Sequence, residues 1–298
     1  MLNLERIHQN DRLMRGLTGL NRKAFEQLLP SFAEAYERKQ NQGQEQRQRA
    51  LGGGRKATLR TSRDKLFYIL LYCKCYPTFD LMSVLFDFDR SCAWDWVHGL
   101  MPILEQALGH KQALPERKLR SIEEFLERFP DVQAVILDGT ERPVRRPKNS
   151  ETQKENYSGK KKRHTRKHIT GTTRKKRVIL LSQARGGKVH DKRQLDEEDW
   201  VSHIPDAVVV GDLGFQGLQN EFENIHLPHK KPRGKELSER QKQENREFSG
   251  QRVKCEHAHA GIKRYHSVTD VYRNRVPDFD DRLMLNATGL WNFYLDAA

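Results

Sequence analysis

An apolar segment that ends on one acidic residue, with a block of basic residues close behind it, most constrains how this chain folds. Residues 134–137 read AVIL and precede Asp138, and the basic block covers residues 142–177. A short apolar run of this kind predicts a buried strand. An acid at the end of a buried strand is costly unless a metal ion, a charged partner or a turn compensates it. The rest of the sequence has to supply that compensation.

The basic block carries nearly all of the net charge of the chain. Residues 142–177 contain 15 Lys and Arg residues against two acids, Glu151 and Glu155, while the whole chain of 298 residues has a formal net charge of +14. Charge concentrated in this way indicates a nucleic-acid-binding surface. A disordered basic tail is the alternative, although this block is internal and lies between predicted strands.

Length and composition favour an intracellular globular protein of one large or two modest domains. Hydrophobic residues make up 36% of the chain, which is enough for a packed core. The four cysteines form no CxxC pair, so we expect reduced thiols. No signal segment and no run of roughly 18 apolar residues is visible, so we expect a cytoplasmic protein without a membrane partner.

The first 60 residues predict a helical arm followed by a basic linker. Asn21 is the expected N-cap of a helix over residues 22–37. Residues 38–65 are rich in Gln and include Gly52, Gly53 and Gly54, which is typical of a flexible linker. The excess of basic residues there fits contact with a phosphate backbone and fits a solvated linker about equally well.

Residues 61–115 predict three helices. The segment DKLFYILLYCK is apolar nearly all round and should be buried, with Pro77 ending the helix. A short helix near residues 79–86 and a tight turn lead into a longer helix, in which Pro102 either introduces a kink or starts a new helix. Two helices joined by a tight turn indicate a helix-turn-helix. We expect these helices to contact DNA, another subunit or the catalytic domain.

Residues 130–298 predict a mixed α/β domain. The expected strands are AVILD, KHITGTT, RVILLSQAR and AVVVGD, with a helix near residues 195–201 between the last two. Ser238 and Gln241 have the spacing of a capping box for a long helix that either continues or breaks before VKCEHAHAGIKRYH. The segment DRLMLNATGLWNFYL predicts a final core helix.

Two predicted strands end on an acid, Asp138 and Asp212, and Glu256 is the candidate for a third carboxylate. Each aspartate taken alone fits a turn cap better than a metal ligand. Arg252, Glu256, His259 and Lys263 share one helical face, which is polar enough to border a site. A surface ion pair between Arg252 and Glu256 explains the same spacing.

Three carboxylates can hold two divalent cations about 4 Å apart, which is the arrangement used for in-line phosphoryl displacement. Hard cations such as Mg²⁺ prefer oxygen ligands. The sequence has no full set of zinc ligands and no GxxxxGK[ST] segment, so it favours neither a zinc site nor a P-loop.

Several segments resemble, in the same order, the blocks of bacterial insertion-sequence transposases of the DDE superfamily. They are DGTERPVRRPKNSETQKENYSGKKKRHTRKH, GGKVHDKRQL, GDLGFQGL, HKKPRGKELS and RVKCEHAHAGIKRY. The resemblance extends from about residue 61 to the C-terminus. It implies a helix-turn-helix region at residues 61–115 and a ribonuclease-H-like catalytic domain at residues 130–298.

The resemblance also assigns roles to particular residues. Asp138, Asp212 and Glu256 would be the catalytic acids and would hold Mg²⁺ or Mn²⁺ as two ions. Asp191, within His190-Asp191, is a secondary candidate. The family signature Tyr-x2-Arg-x3-Glu-x6-Lys is matched at Arg252, Glu256 and Lys263, whereas Ser249 occupies the tyrosine position. The predicted DNA-binding residues are Lys160, Lys161, Lys162, Arg163, Arg166, Lys167, Lys230, Lys231, Arg233, Lys235, Arg252 and Lys263.

The implied function is a transposase that binds the terminal inverted repeats of its element, cuts phosphodiester bonds and joins 3′-hydroxyl ends to target DNA. Double-stranded DNA is the expected partner, in a homodimer or larger complex associated with the bacterial nucleoid. Two alternatives remain at this point. One is a metal-dependent endonuclease without strand transfer, and the other is a non-enzymatic helix-turn-helix regulator.

Overall fold

The computed structural model describes residues 2–42 and 57–297, which form two compact units. The first unit draws on Met1–Leu114, Ile262–Asp270 and Arg282–Ala298, and the second on Pro115–Gly261 and Val271–Asp281. The centre of the predicted linker, including Gly52, Gly53 and Gly54, lies outside the described residues. None of the helices in the described ranges is long and apolar enough to cross a bilayer.

The first unit is helical. Asn21 caps the third helix as predicted, with its side chain accepting a hydrogen bond from the Ala24 amide. Thr61 and Asp64 form a reciprocal capping box, so a helix begins at Ser62, inside the predicted linker. The helices are α1 (Leu4–Gln9), α2 (Asp11–Thr18), α3 (Arg22–Asn41), α4 (Ser62–Cys75), α5 (Phe79–Phe86) and α6 (Arg90–His110).

Helices α4, α5 and α6 confirm the three predicted helices. Helix α4 is buried from Lys65 to Cys73 and ends on Tyr76, just before Pro77. Asp87, with φ of 58°, ends α5 in the left-handed region and starts the tight turn. Helix α6 continues through Pro102 without a break. The assignment of α5 and α6 as a helix-turn-helix stays a prediction.

The second unit is built on a mixed sheet with the strand order β2-β3-β1-β6-β7, to which β4 and β5 add by pairing with β3. β1 pairs with β3 in the antiparallel sense and with β6 in the parallel sense. The strands are β1 (Ala134–Pro143), β2 (Tyr157–Ser158), β3 (Arg163–Thr173), β4 (Val178–Leu181), β5 (Arg185–Gly186), β6 (Val208–Val210) and β7 (Ile225–His226).

β1 is longer than the sequence indicated. We expected the strand to end at Asp138, but it continues to Pro143 because residues 135–143 pair with β3 without interruption. Its inner half is apolar and buried, whereas its outer half contains polar residues that only pairing with β3 keeps extended. Asp138 therefore lies in the middle of a strand, opposite Thr170.

Helices of the second unit cover and flank this sheet. They are α7 (Ile122–Arg128), α8 (Ser150–Asn156), α9 (Asp191–Glu198) and α10 (Glu239–Ile262), and α11 (Phe279–Ala297) begins in this unit and continues into the first. Ser238 and Gln241 form the predicted capping box of α10, which then continues without a break. The helix predicted near residues 195–201 begins earlier, at Asp191, and ends at Glu198.

β1 has two buried faces. Val135 and Leu137 join the main core with residues such as Trp200 and Phe215. On the opposite face Ile136 packs with Val210 of β6 and with Cys255 and Phe248 of α10. Alternate strand residues point to opposite faces, so Asp138 points to the α10 side, like Ile136. The strand thus places an acid beneath a helix.

Gly171 of β3 should be one of the least replaceable residues of the sheet. A Cβ there would lie 2.9 Å from Leu180 Cβ and 3.1 Å from Val135 Cγ1, and both atoms belong to the core. We expect Gly171→Ala to lower the free energy of unfolding by about 1–3 kcal/mol, as overpacking does. Chemical denaturation measures the change, with Gly159→Ala, which has open space, as the matched control. Equal stability of the two variants would contradict this packing.

Candidate active site

The two strand acids lie on neighbouring parallel strands at the same height. Ile136 of β1 pairs with Val210 of β6. Asp138 and Asp212 each follow by two residues, so they lie side by side at the edge where β6 ends. Asp212 also caps the turn after β6, because its Oδ1 accepts a hydrogen bond of 2.8 Å from the Gly214 amide. The turn role expected for this residue and a place in the site are therefore compatible.

Asp191, at the start of α9, is the third carboxylate at this edge. A Cβ atom on Gly214 would lie 2.8 Å from both Asp191 Oδ2 and Asp212 Oδ1, so these two oxygens are no farther apart than twice that distance. A Cβ on Gly139 would lie 3.2 Å from Asp191 Oδ1. Residues 139 and 214 thus leave room, by lacking side chains, for carboxylates to approach each other.

The electrostatics of Asp138 show that this cluster is strained. Burial, together with the nearby charges of Asp212 and Asp191, raises the pKa of Asp138 to about 6 against the opposing effect of Arg252. A carboxyl group with this pKa is poorly compensated by the protein alone. The arrangement is therefore suited to accept positive charge from outside the chain.

Helix α10 places two basic groups over Asp138. Arg252 Nη2 lies 3.6 Å from one carboxylate oxygen, and His259 Nδ1 lies 3.6 Å from the other. A hydrogen bond of 2.8 Å joins His259 Nε2 and Thr170 Oγ1, on the strand opposite Asp138. His259 is buried, so its ring is held between β3 and the acid. This face of α10 covers Asp138.

Asp138, Cys255 and His259 form a group whose ligand atoms lie within 4.8 Å of one another. Burial raises the pKa of the Cys255 thiol to about 12, so it stays protonated near neutral pH. A protonated thiol is a poor metal ligand. The carboxylates on the other side of Asp138 are the better ligands for a hard cation, which prefers oxygen.

The side chains of Glu256 and Lys263 do not lie on the face of α10 that covers Asp138. Both side chains are exposed, and Glu256 follows directly after Cys255, which is buried against the sheet. Within the described residues, no contact between Glu256 and Asp138 or Asp212 is observed. Lys263 follows the last residue of α10 and belongs to the helical unit. The metal-ligand role of Glu256 stays a prediction.

The predicted DNA-binding residues fall into exposed and inward-facing groups. Exposed residues in the turn before β3 and at its start are Lys160, Lys161, Lys162 and Arg163, and those in the loop before α10 are Lys230, Lys231, Arg233 and Lys235. Lys167 is different, because its side chain is 8% exposed and its Nζ lies 2.7 Å from Asp191 Oδ1. Its ammonium group is paired with Asp191, and its contact with DNA stays a prediction.

The sequence indicated Asp138 and Asp212 as two acids at strand ends, and the structure brings them side by side. Asp191 was indicated only as a secondary candidate. The segment HDKRQL contains no apolar strand before its acid, so pattern alone gives it no position. His259 was predicted only as part of a polar helical face. Its burial next to Asp138 and Thr170 depends on how α10 packs, which spacing along the chain does not contain.

Comparison with known proteins identifies the family of this chain. Residues 137–292 match the family model described as DDE superfamily endonuclease. A "Probable transposase for insertion sequence element IS702" from Microchaete diplosiphon is 30% identical over 233 residues, which is 78% of this chain and 80% of that protein. This chain belongs to the DDE superfamily. No solved structure matches it.

Ionised Asp138 should cost the folded protein stability. Because its pKa is raised from 3.8 to about 6, the folded protein keeps a proton that the unfolded chain has released between these values. The free energy of unfolding therefore falls as pH rises through this interval. With a metal chelator in the buffer to keep divalent cations away from Asp138, we expect the free energy of unfolding of Asp138→Asn to exceed that of the wild type by about 1–3 kcal/mol above pH 6.

The measurement is urea denaturation of both proteins over a pH series. Asp196→Asn, at an exposed acid of α9 that pairs with Lys192, is the control. An Asp138→Asn protein that is less stable than the wild type at every pH would show that the ionised carboxylate is stabilising instead.

Gly214→Ala should disturb the acid cluster directly. The new Cβ would lie 2.8 Å from oxygens of Asp191 and Asp212, which therefore have to separate. We expect phosphodiester cleavage to fall about 10-fold or more, because small displacements of catalytic groups are costly. Gly99→Ala, which meets nothing within 4 Å, is the control and should retain activity. Full cleavage activity of Gly214→Ala would show that the spacing of Asp191 and Asp212 does not matter for cleavage.

Proposed function

We propose that this chain is an insertion-sequence transposase that cleaves phosphodiester bonds at the ends of its element and joins the freed 3′-hydroxyl to target DNA. The observation that carries the proposal is the meeting of Asp138, Asp191 and Asp212 at one edge of the sheet, with the Asp138 side chain only 17% exposed and its pKa raised to about 6. Membership of the DDE superfamily and the likeness to a probable transposase support it.

Asp138, Asp212 and Glu256 are the proposed ligands of Mg²⁺ or Mn²⁺, and Asp191 adjoins them. The raised pKa of Asp138 fits such an ion, because a divalent cation offsets the repulsion between neighbouring carboxylates. When bound, two such ions polarise the attacking and leaving oxygens of a phosphodiester in an in-line displacement. The side chain of Glu256 is exposed on α10, and its approach to the other acids is part of the proposal.

The other residues of the site bind, orient and screen. Arg252 reduces the negative charge around Asp138, and Lys167 holds Asp191 by an ion pair of 2.7 Å. His259, held by Thr170, orients Asp138 from the α10 side. Lys263, which follows α10, is proposed to contact DNA near the cut. Together these groups fix the acids before DNA arrives, so that little reorganisation is needed on binding.

The mixed sheet flanked by helices supports a ribonuclease-H-like architecture for the second unit, and α5 and α6 support a helix-turn-helix in the first. Double-stranded DNA is the proposed substrate, gripped by the exposed residues of the turn before β3 and the loop before α10. The active complex is proposed to hold at least two copies, because two element ends must be joined in one event.

Single replacements of the acids test the proposal. We expect Asp138→Ala, Asp212→Ala and Glu256→Ala each to lower cleavage of end-containing duplex DNA in Mg²⁺ by about 10²-fold or more. Asp191→Ala should also lower it, because its carboxylate approaches Asp212. Glu239→Ala, an exposed acid of the same helix as Glu256, is the matched control. Wild-type activity in any one variant would exclude that acid from the site.

A strand-transfer assay with a pre-cut end separates the transposase from an endonuclease. Joining of the labelled 3′ end to a target plasmid supports the transposase. Cleavage without joining, under conditions that assemble two ends, would favour the endonuclease.

A further inference from the structure

Part of the basic block, together with basic residues from a distant segment, lines a cavity at the outer end of β1. The cavity has a volume of about 540 Å³. The cationic side chains that line it are Arg145, Arg146, Lys148, Arg166, Arg273 and Arg275, and Asp280 is the acid among the lining residues. Arg145, Arg146, Lys148 and Arg166 belong to the basic block of residues 142–177, and Arg273 and Arg275 join them from a distant part of the chain. The cavity therefore needs an explanation of its own.

Two chain segments that are far apart in sequence build this cavity, and backbone contacts hold them together. The segment after β1 and the segment before α11 meet where Val144 and Tyr272 form a parallel bridge. The Tyr272 amide donates a 2.9 Å hydrogen bond to the Pro143 carbonyl, and the Val144 amide donates a 3.0 Å bond to His164. The guanidinium group of Arg142 lies 4.7 Å from the centre of the Tyr272 ring. The basic residues thus project from a frame anchored to the central sheet.

The charge of the cavity is not balanced by its own lining. Asp280 lies 2.8 Å from Arg166 Nε, so the acid of the lining is already paired. Arg146 Nε donates a 3.0 Å bond to Gln153, which carries no charge. Arg145 and Arg275 are exposed at the rim. Bringing like charges together is unfavourable unless an anion joins them. Guanidinium groups, which dominate this lining, match the oxygens of phosphate in bidentate geometry.

We propose that this cavity binds a backbone phosphate of the DNA duplex that is cut at Asp138. The proposal rests on the proposed function and adds a position to it. Val144 follows Asp138 by six residues, and a strand rises about 3.3 Å per residue, so the cavity lies roughly 20 Å along β1 from the acid. Phosphates of one DNA strand advance about 3.4 Å along the axis. For a duplex whose axis follows β1, the bound phosphate is roughly six base pairs from the cut bond.

A phosphate clamp at that distance fixes the register of DNA without reading its sequence. Because β1 carries Asp138 within it and the cavity at its end, one rigid strand sets the spacing between the grip and the cut. The cavity determines which bond reaches the acids.

The first test is the salt dependence of binding to a duplex of mixed sequence. The variant Arg145→Gln/Arg275→Gln removes two exposed charges of the cavity. The matched control, Lys111→Gln/Lys118→Gln, removes two exposed charges that lie outside the basic block of residues 142–177. We expect the slope of log Kd against log salt to fall by about 1–2 in the cavity variant, since each lost phosphate contact removes about 0.9. The control should keep a slope closer to that of the wild type. Equal slopes in the two variants would overturn the proposal.

The second test locates the phosphate. Neutral methylphosphonates are placed one at a time along an end-containing duplex whose cut position has been mapped. We expect the largest loss of wild-type binding at roughly six base pairs from the cut, and no loss at that position in the cavity variant. A loss confined to phosphates beside the cut would overturn the proposal.

Failure of the proposed function is distinguishable from failure of this inference. The salt experiment requires no cleavage, so an inactive wild type that retains the difference in slope would overturn the function and still support phosphate binding by the cavity. Normal cleavage with equal slopes would overturn the cavity alone. Circular dichroism of the cavity variant, whose changed residues are exposed, checks that it folds.

Discussion

The structure of the second unit depends on placing the Asp138 carboxylate inside the protein beside two others. Burial and the charges of Asp191 and Asp212 together raise its pKa to about 6, so the cluster is unfavourable for the chain on its own. Such a cost is found where function requires it. The surrounding sheet, the turn glycines and α10 are all arranged so that these carboxylates stay together despite their repulsion.

Three devices maintain this arrangement. Parallel pairing of β1 with β6 sets Asp138 and Asp212 at one height. Gly214 provides the space in which Asp191 approaches Asp212. Helix α10 packs on Ile136 and Val210 through Cys255, which brings Arg252 over Asp138. Each of these features belongs to the backbone or to side-chain packing. The fold therefore keeps the carboxylates close together although they repel one another.

β1 connects the two basic regions of this unit to the acids. Asp138 lies within β1, and the outer end of β1 leads to the cavity around Arg145. The partner strand, β3, begins directly after the exposed turn that contains Lys160, Lys161 and Lys162. Four of the 15 basic residues of the block lie in β1 and β3, and the others lie between these strands along the chain or directly after β3. A duplex that follows this pair would meet positive charge over a length set by the strands.

Some of this was readable from the chain. The apolar runs before Asp138 and Asp212 predicted buried strands, and the Asn21 and Ser238 caps predicted helix starts, because these signals act over a few neighbouring residues. The sequence also determined the concentration of charge. Only the tertiary structure decided that β1 passes through Asp138 and that Asp191 joins the cluster. It also decided that His259 turns inward while Glu256 stays exposed. These outcomes depend on pairing and packing between segments more than 20 residues apart, which no local pattern contains.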